Sequence, residues 1–491
     1  MDDRLILVID AGTTSTRAML FDAAGSCLSL HQADLTQHYP QPGWVEHDAA
    51  EIWDATLACI RTVIGQCPSP ARIAAIGIAN QRETVVFWDR RTGIPLAPAI
   101  VWQDRRTADL CTRLREAGHE ETVQSRTGLL LDPYFSASKI RWAFEHWPQL
   151  REAGPHLAIG TVESYLVHRL TGGLHITDAT NASRTSLMHI TGGEWDDAML
   201  ALFDIDPKYL PEITDCVGDF GTARTDLFGH AIPIRGMAGD QQAASIGQGC
   251  LASGQCKATY GTGAFILAQT GSEARLSKNR LLTTVAVQQD GERRYALEGA
   301  IFVAGSLVQW LRDTLGILGS AAETATLAAS VPDTAGVHLI PALAGLGAPH
   351  WRPDVRGAIT GLSFGTGRAH IARAALEAMA YQTHDLMAAF AADGALWREL
   401  RIDGGMAAND WMAQDIADML DIPVLRPDFV ETTAKGAAML AAVGAGLFPD
   451  LGAAADAMAG PVSHFTPHLA AGTRQARLSG WSGALHTTLN G

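Results

Sequence analysis

The sequence predicts an α/β protein of two similar domains, and three observations carry that prediction. Its 491 residues exceed what a single hydrophobic core usually spans. Short apolar runs of strand length alternate with stretches of helical periodicity. A strand, Gly-Thr turn and strand near the N-terminus recur roughly half a chain later, as a duplicated unit would.

The first of these units is Val8-Ile9-Asp10-Ala11-Gly12-Thr13-Thr14-Ser15-Thr16-Arg17, followed by the apolar Ala18 to Phe21. Leu5 to Ile9 is short and rich in β-formers, and Gly12 lets the backbone turn where a Cβ would obstruct. Such a turn can hold a phosphate with N–H and O–H donors while the carboxylate faces a hydrated Mg²⁺. It is equally readable as a plain hairpin whose hydroxyls satisfy the turn. The second unit is Lys257-Ala258-Thr259-Tyr260-Gly261-Thr262-Gly263-Ala264-Phe265. It divides the chain into domains 1–248 and 249–491, with no long linker.

Between them, Ile52, Trp53, Leu57, Ile60 and Ile64 repeat at helical steps after a potential N-cap at Asp48. Ile73 to Ile78 reads as a buried strand emptying into Asn80-Gln81-Arg82-Glu83-Thr84, before a further apolar run, Val85 to Trp88. Polar clusters follow apolar segments again at Trp102-Gln103-Asp104-Arg105-Arg106 and Thr180-Asn181-Ala182-Ser183-Arg184-Thr185. Ile232 to Ile234 leads through Gly239 to Asp240-Gln241-Gln242 and a helix-like stretch, 243–249. The second half is Ala- and Gly-rich, with helix signals over 371–386, 411–420 and 435–446. The small side chains of the last suit close packing at a hinge, or simply an Ala-rich core.

Composition removes several functions. With 47% hydrophobic and 18% charged residues the chain is globular. A formal charge of -15 with no basic block argues against a nucleic-acid surface. The start is acidic (Asp2, Asp3) and the first apolar run is short, so neither a signal peptide nor a membrane span is expected. Seven cysteines without a C-x-x-C pair read as reduced thiols, and a cytoplasmic protein is the expectation.

The commonest nucleotide fingerprints are missing: there is no Gly-Lys pair and no strict G-x-G-x-x-G. Two Gly-Thr hairpins and the Gly404-Gly405 turn remain as phosphate or nucleotide cradles. Asp240 is the candidate base, able to take the proton of a hydroxyl attacking a γ-phosphoryl group; as an ordinary feature it reads as a helix N-cap. Arg82-Glu83 offers a donor fork beside an acceptor, fit for adjacent hydroxyls or for a surface ion pair. Trp102, Tyr134 and Phe265 can wall a small polyol, or be core.

Together with Pro42-Gly43-Trp44-Val45-Glu46, Gly345-Leu346-Gly347-Ala348-Pro349 and Asp403-Gly404-Gly405, these motifs closely resemble the glycerol kinase branch of the FGGY carbohydrate kinases, over residues 5 to about 447. The resemblance implies two actin-like (ribonuclease H-like) domains with a cleft between them and ATP, Mg²⁺ and glycerol as ligands. It makes Asp240 the base in forming sn-glycerol 3-phosphate. Arg82, Glu83, Tyr134, Asp240 and Gln241 would bond the hydroxyls, with Trp102 and Phe265 on the carbons. Thr13, Thr14, Ser15 and Arg17 would hold phosphates from one domain and Thr262 from the other. Gly305, Gln309, Gly405 and Asn409 would surround the nucleotide, and Asp10 and Asp240 would lie near Mg²⁺. A homodimer or homotetramer is implied as well. The alternatives are a kinase for another small polyol or ketose, and an actin-like ATPase without phosphotransfer to a polyol.

The sequence departs from that pattern in three places. Gly221 to His230 lacks the glycine pair and lysine of the loop with which some members bind fructose 1,6-bisphosphate, so no strong inhibition by it is expected. Asp410 replaces an amide often seen beside Asn409, and Arg477-Leu478-Ser479-Gly480-Trp481 keeps only a weak echo of the family's end.

Overall fold

The computed structural model describes residues 3–352 and 354–490; Asp2 of the acidic start lies outside them. Two mixed sheets organise the chain. The first runs, edge to edge, Thr222–Ala223, Ile232–Gly239, Ile73–Asn80, Leu5–Ala11, Ser15–Phe21 and Cys27–Asp34. Leu5–Ala11 pairs antiparallel with Ser15–Phe21 and parallel with Ile73–Asn80, so the Gly12 turn sits at the sheet's centre. All seven residues of that central strand are buried, which explains an apolar run without alternation.

The second sheet runs Leu282–Gln289, Glu292–Ile301, Ala264–Gly271, Gln255–Tyr260, Glu399–Asp403, Val424–Pro427 and Val462–Phe465. Here Gln255–Tyr260 pairs antiparallel with Ala264–Gly271 and parallel with Glu399–Asp403. The short echo between Gly12-Thr13 and Gly261-Thr262 thus marks equivalent hairpins in two sheets of like order. Leu282–Gln289 is an addition outside that common plan.

The helix over Ala49–Gln66 is capped by Asp48, which accepts from the Ala50 N–H at 2.8 Å, and it buries Ile52, Trp53, Ile60 and Ile64. Asp240 is different: Gly239 occupies the N-cap with φ -60° and ψ 150°, and Asp240 is the first helical residue of Asp240–Gly247. The N-cap expectation for Asp240 is therefore corrected by one position. Its side chain accepts from the adjacent Gln241 N–H at 2.7 Å and not from deeper in the helix.

The Ala- and Gly-rich segment forms Thr432–Gly444, which crosses Asp240–Gly247 and also lies on the first sheet. Glycines make this possible. A Cβ on Gly436 would stand 1.8 Å from the Ala243 carbonyl oxygen, and one on Gly77 would stand 2.3 Å from that of Ala437. A division at 248 therefore leaves a helix that belongs to the second half in sequence and packs on the first in space. The final helix, Ala471–Asn490, docks on its own domain: Arg477 forks onto Asp415 at 2.7 and 2.9 Å, and Trp481 stacks on Tyr381. No helix among the described residues is long and apolar enough to cross a membrane.

Candidate active site

The first hairpin turn is tied down through its carbonyls. Gln81 donates from its backbone to Ala11 O at 2.8 Å and from Nε2 to Gly12 O at 3.0 Å, and the Leu35 N–H reaches Thr14 O at 2.9 Å. The carbonyls being used, the turn presents donors: Thr13 is half-buried, Thr14 is exposed, and Ser15 is buried at the strand's start. Beneath it, Asp10 Oδ2 lies 3.8 Å from Arg17 Nη1, which also meets Glu431 at the foot of the crossing helix. Burial raises the Asp10 carboxyl to about 7 against the pull of Arg17, and the charges of Glu431 and Asp240 add to the rise. Asp10 is thus a buried carboxyl under the turn, with Arg17 as its neighbouring cation and Glu431 sharing that arginine.

Six residues expected around a polyol converge where the halves meet. Arg82 is buried; its Nε lies 3.2 Å from Asp240 Oδ1, and its Nη2 donates to the Tyr134 hydroxyl at 3.3 Å. The Trp102 ring stands edge-on to Tyr134 at 5.6 Å and to Phe265 at 6.0 Å, so aromatic walls come from both halves. Trp102 Nε1 also donates to Thr13 Oγ1 at 2.9 Å, joining this wall to the phosphate turn. Burial raises the Asp240 carboxyl, opposed by Arg82 and Lys257, which makes it a better proton acceptor. The seventh expected residue, Gln241, is held from the second half by Lys257 Nζ.

Glu83 has an unusual backbone. Its φ is 61°, and the Thr84 N–H bonds back to Arg82 O at 2.7 Å, a tight γ-turn. Placing a side chain in the left-handed region costs about 1–3 kcal/mol and persists only where neighbours fix it. Arg184 Nε does so at 2.6 Å from Glu83 Oε1, and Ser136 Oγ donates to Glu83 O at 3.0 Å.

A cavity of about 560 Å³ opens in the second half, lined by Thr262, Gly305, Gln309, Gly405 and Asn409 among others. Its floor is a glycine lattice: a Cβ on Gly305 would stand 2.6 Å from Gly261 O, and one on Gly404, at φ 86°, 2.5 Å from Tyr260 O. Asn409 caps the helix Asp410–Leu420 by accepting from the Met412 N–H at 3.1 Å, and donates to Thr324 Oγ1 at 3.1 Å. Asp410, the departure noted in sequence, pairs with Arg426 at 2.8 Å on the cavity's rim.

Three residues that sequence reasoning did not single out belong to this arrangement. Glu298 reaches Arg82 from a strand of the second half. Lys139, wholly buried, donates to the carbonyls of Pro133 and Tyr134 at 2.6 Å each and so fixes the Tyr134 turn. Lys257 faces Gln241 and Thr259 and is held below the usual lysine range by burial.

Comparison with known proteins finds two family models along the chain. Residues 5–247 match the N-terminal domain of the FGGY family of carbohydrate kinases, and residues 256–445 match its C-terminal domain. A protein named glycerol kinase from Methylobacterium nodulans is 55% identical, covering 98% of this chain and 97% of that one. One of the same name from Rhodospirillum centenum is 52% identical over 99% and 98%. Among solved structures, Plasmodium falciparum glycerol kinase with ADP superposes with a TM-score of 0.94 at 35% identity, covering 99% of this chain and 98% of that chain. Xylulose kinase from Rhodospirillum rubrum superposes at 0.89 with 26% identity, covering 99% of each.

Proposed function

The chain belongs to the FGGY family of carbohydrate kinases, with its two-domain actin-like fold, and we propose that it transfers the γ-phosphoryl group of ATP to glycerol. The observation that carries this reading is the compact meeting of Arg82, Glu83, Tyr134 and Asp240 with the rings of Trp102 and Phe265. A short triol needs that combination of hydroxyl partners on one side and an apolar wall on the other.

Asp240 Oδ1 is engaged by Arg82 and by the Gln241 N–H, which leaves Oδ2 to accept the proton of the attacking hydroxyl. Proton removal and in-line attack yield sn-glycerol 3-phosphate and ADP. The donors of Thr13, Thr14 and Ser15 with Arg17 hold phosphate oxygens from one side and Thr262 from the other, and the cavity at Gly305, Gln309, Gly405 and Asn409 takes the nucleotide. Asp10 and Asp240 would hold a hydrated Mg²⁺, which when bound neutralises phosphate charge. Approach of the halves excludes water that would otherwise hydrolyse ATP. In this reading residues 1–248 carry glycerol and phosphate sites, residues 249–491 carry the nucleotide site, and the enzyme works in the cytoplasm as a homodimer or homotetramer.

The test is ADP release from Mg-ATP with glycerol, dihydroxyacetone, erythritol, xylulose and ribulose in turn. Glycerol must exceed the others by a wide margin. A preference for a ketose would replace the substrate, and release without any polyol would make the protein an ATPase.

A further inference from the structure

Four buried charged side chains alternate in sign beside the polyol-binding residues. Arg82 Nη1 donates to Glu298 Oε2 at 2.6 Å, Arg184 Nη2 to Glu298 Oε1 at 2.8 Å, and Arg184 Nε to Glu83 Oε1 at 2.6 Å. Arg82 Nε closes the ring 3.9 Å from Glu83 Oε1. None of the four side chains is more than 2% exposed. Three come from the first half, and Glu298 alone comes from the second, on the strand Glu292–Ile301.

A buried ion network is poor evidence for stability, since desolvation offsets most of the attraction. What this one does is fix geometry. Glu298 uses both oxygens, one for each arginine, and thereby sets the separation of two guanidiniums that would otherwise repel. Arg82 is held at one end, and Arg184 at the other holds Glu83 in its left-handed γ-turn. Glu83 Oε1 is thus occupied, and Oε2 has no protein partner among the described residues, leaving it for a hydroxyl. Without Glu298, Arg82 keeps only the partly exposed Asp240 at 3.2 Å and Glu83 at 3.9 Å, both on its Nε side, and Nη1 loses the carboxylate that holds the guanidinium where it reads the substrate.

We infer that Glu298 is a positioning residue for hydroxyl recognition, setting Arg82 directly and Glu83 through Arg184, so that triol selectivity exists only once the second half has delivered this carboxylate. The inference rests on the glycerol reading. A site built to bond a hydroxyl discriminates strongly against an analogue lacking it, and a loosened site loses that discrimination before it loses turnover.

The experiment compares wild type and E298Q for kcat and KM with glycerol, with ATP, and with propane-1,3-diol, which lacks one hydroxyl. The expected result is a glycerol KM raised roughly tenfold to a hundredfold, an ATP KM within about twofold, and a glycerol-over-diol ratio of kcat/KM lowered by about tenfold or more. A merely structural role would lower kcat on both substrates alike and leave the ratio intact, which overturns the inference. Should E298Q not fold, the charge-balanced E298Q/R184Q must show the same loss of ratio. An unchanged ratio there, or failure of both variants to fold, also overturns it. Absence of glycerol-dependent ADP release in the wild type would fell the substrate reading itself and is seen in that arm alone.

Discussion

The hairpin at Gly12 and the hairpin at Gly261 occupy the same place in two like-ordered sheets, and their surroundings could hardly differ more. Around the first lie Asp10, Arg17, Glu431 and Asp240, charged groups held close under the turn. Around the second lie Gly263, Gly305 and Gly404, packed so that backbone meets backbone with no room for a Cβ. One hairpin supplies charge and the other supplies shape. A duplicated fold can divide labour this way because the turn geometry is common, while the residues beside it are free to differ.

The sharpest way to break that comparison is D240N, which keeps size and removes the base. Turnover should fall by about 10²–10⁴-fold. ATP binding, measured by calorimetry, should hold within about twofold. A near-normal kcat would move the chemistry elsewhere. The joint between the halves is tested by G436A, whose methyl must enter space held by the Ala243 carbonyl. It should cost about 1–3 kcal/mol or more in urea unfolding, through overpacking. Division of labour is sharpened by G405V: a Cβ there meets nothing within 4 Å, so the fold accepts it while the cavity is narrowed. The ATP KM should rise roughly tenfold with the glycerol KM unmoved, a clash aimed at one ligand only.

A smaller effect concerns the buried carboxylates behind the first site. Glu163 is raised to about 7, by burial first and then by the charge of Asp178. A carboxyl raised in the folded state contributes stability that is full below its unfolded value and is lost as pH climbs through about 7. The Tm of E163Q relative to wild type should therefore improve between pH 5 and pH 8; a difference that stays flat would deny the shift. The smallest effect is none at all. Within Gly221 to His230, Arg224 is already paired with Asp226 at 2.6 Å. Fructose 1,6-bisphosphate should leave the rate within about twofold in a steady-state titration, since residues 221–230 offer its phosphates no unpaired arginine or lysine.

What could be read from sequence follows from how local each feature is. Gly12 and Gly261 were legible because each opens a Gly-Thr turn between two apolar runs of strand length. The helix at Ala49–Gln66 announced itself through Asp48 and its apolar period. Trp102, Tyr134 and Phe265 are far apart in the chain, and their chemistry alone left them readable as a polyol wall or as core; the structure puts their rings within 6.0 Å along two edges. Glu298 was not legible. It sits in Glu292–Ile301, which reads as an ordinary strand, and nothing near it signals that Arg82 and Arg184 wait across the fold. Lys139 was hidden for a related reason: its partners are backbone carbonyls, which carry no sequence signature. The position of Asp240 was off by one because aspartate suits an N-cap, while here Gly239 takes that place.

The seating of Thr432–Gly444 on the first sheet bears on how the protein is made. During synthesis, the strands around Gly77 and Gly236 leave the ribosome with one apolar face uncovered, since Ala437 and Ala441 arrive only near the end. At about 5–20 residues per second that interval is on the order of ten seconds or more. The nascent first half therefore spends it exposed to chaperones and to its neighbours on the polysome, and a fragment ending at residue 248 would stay in that condition permanently.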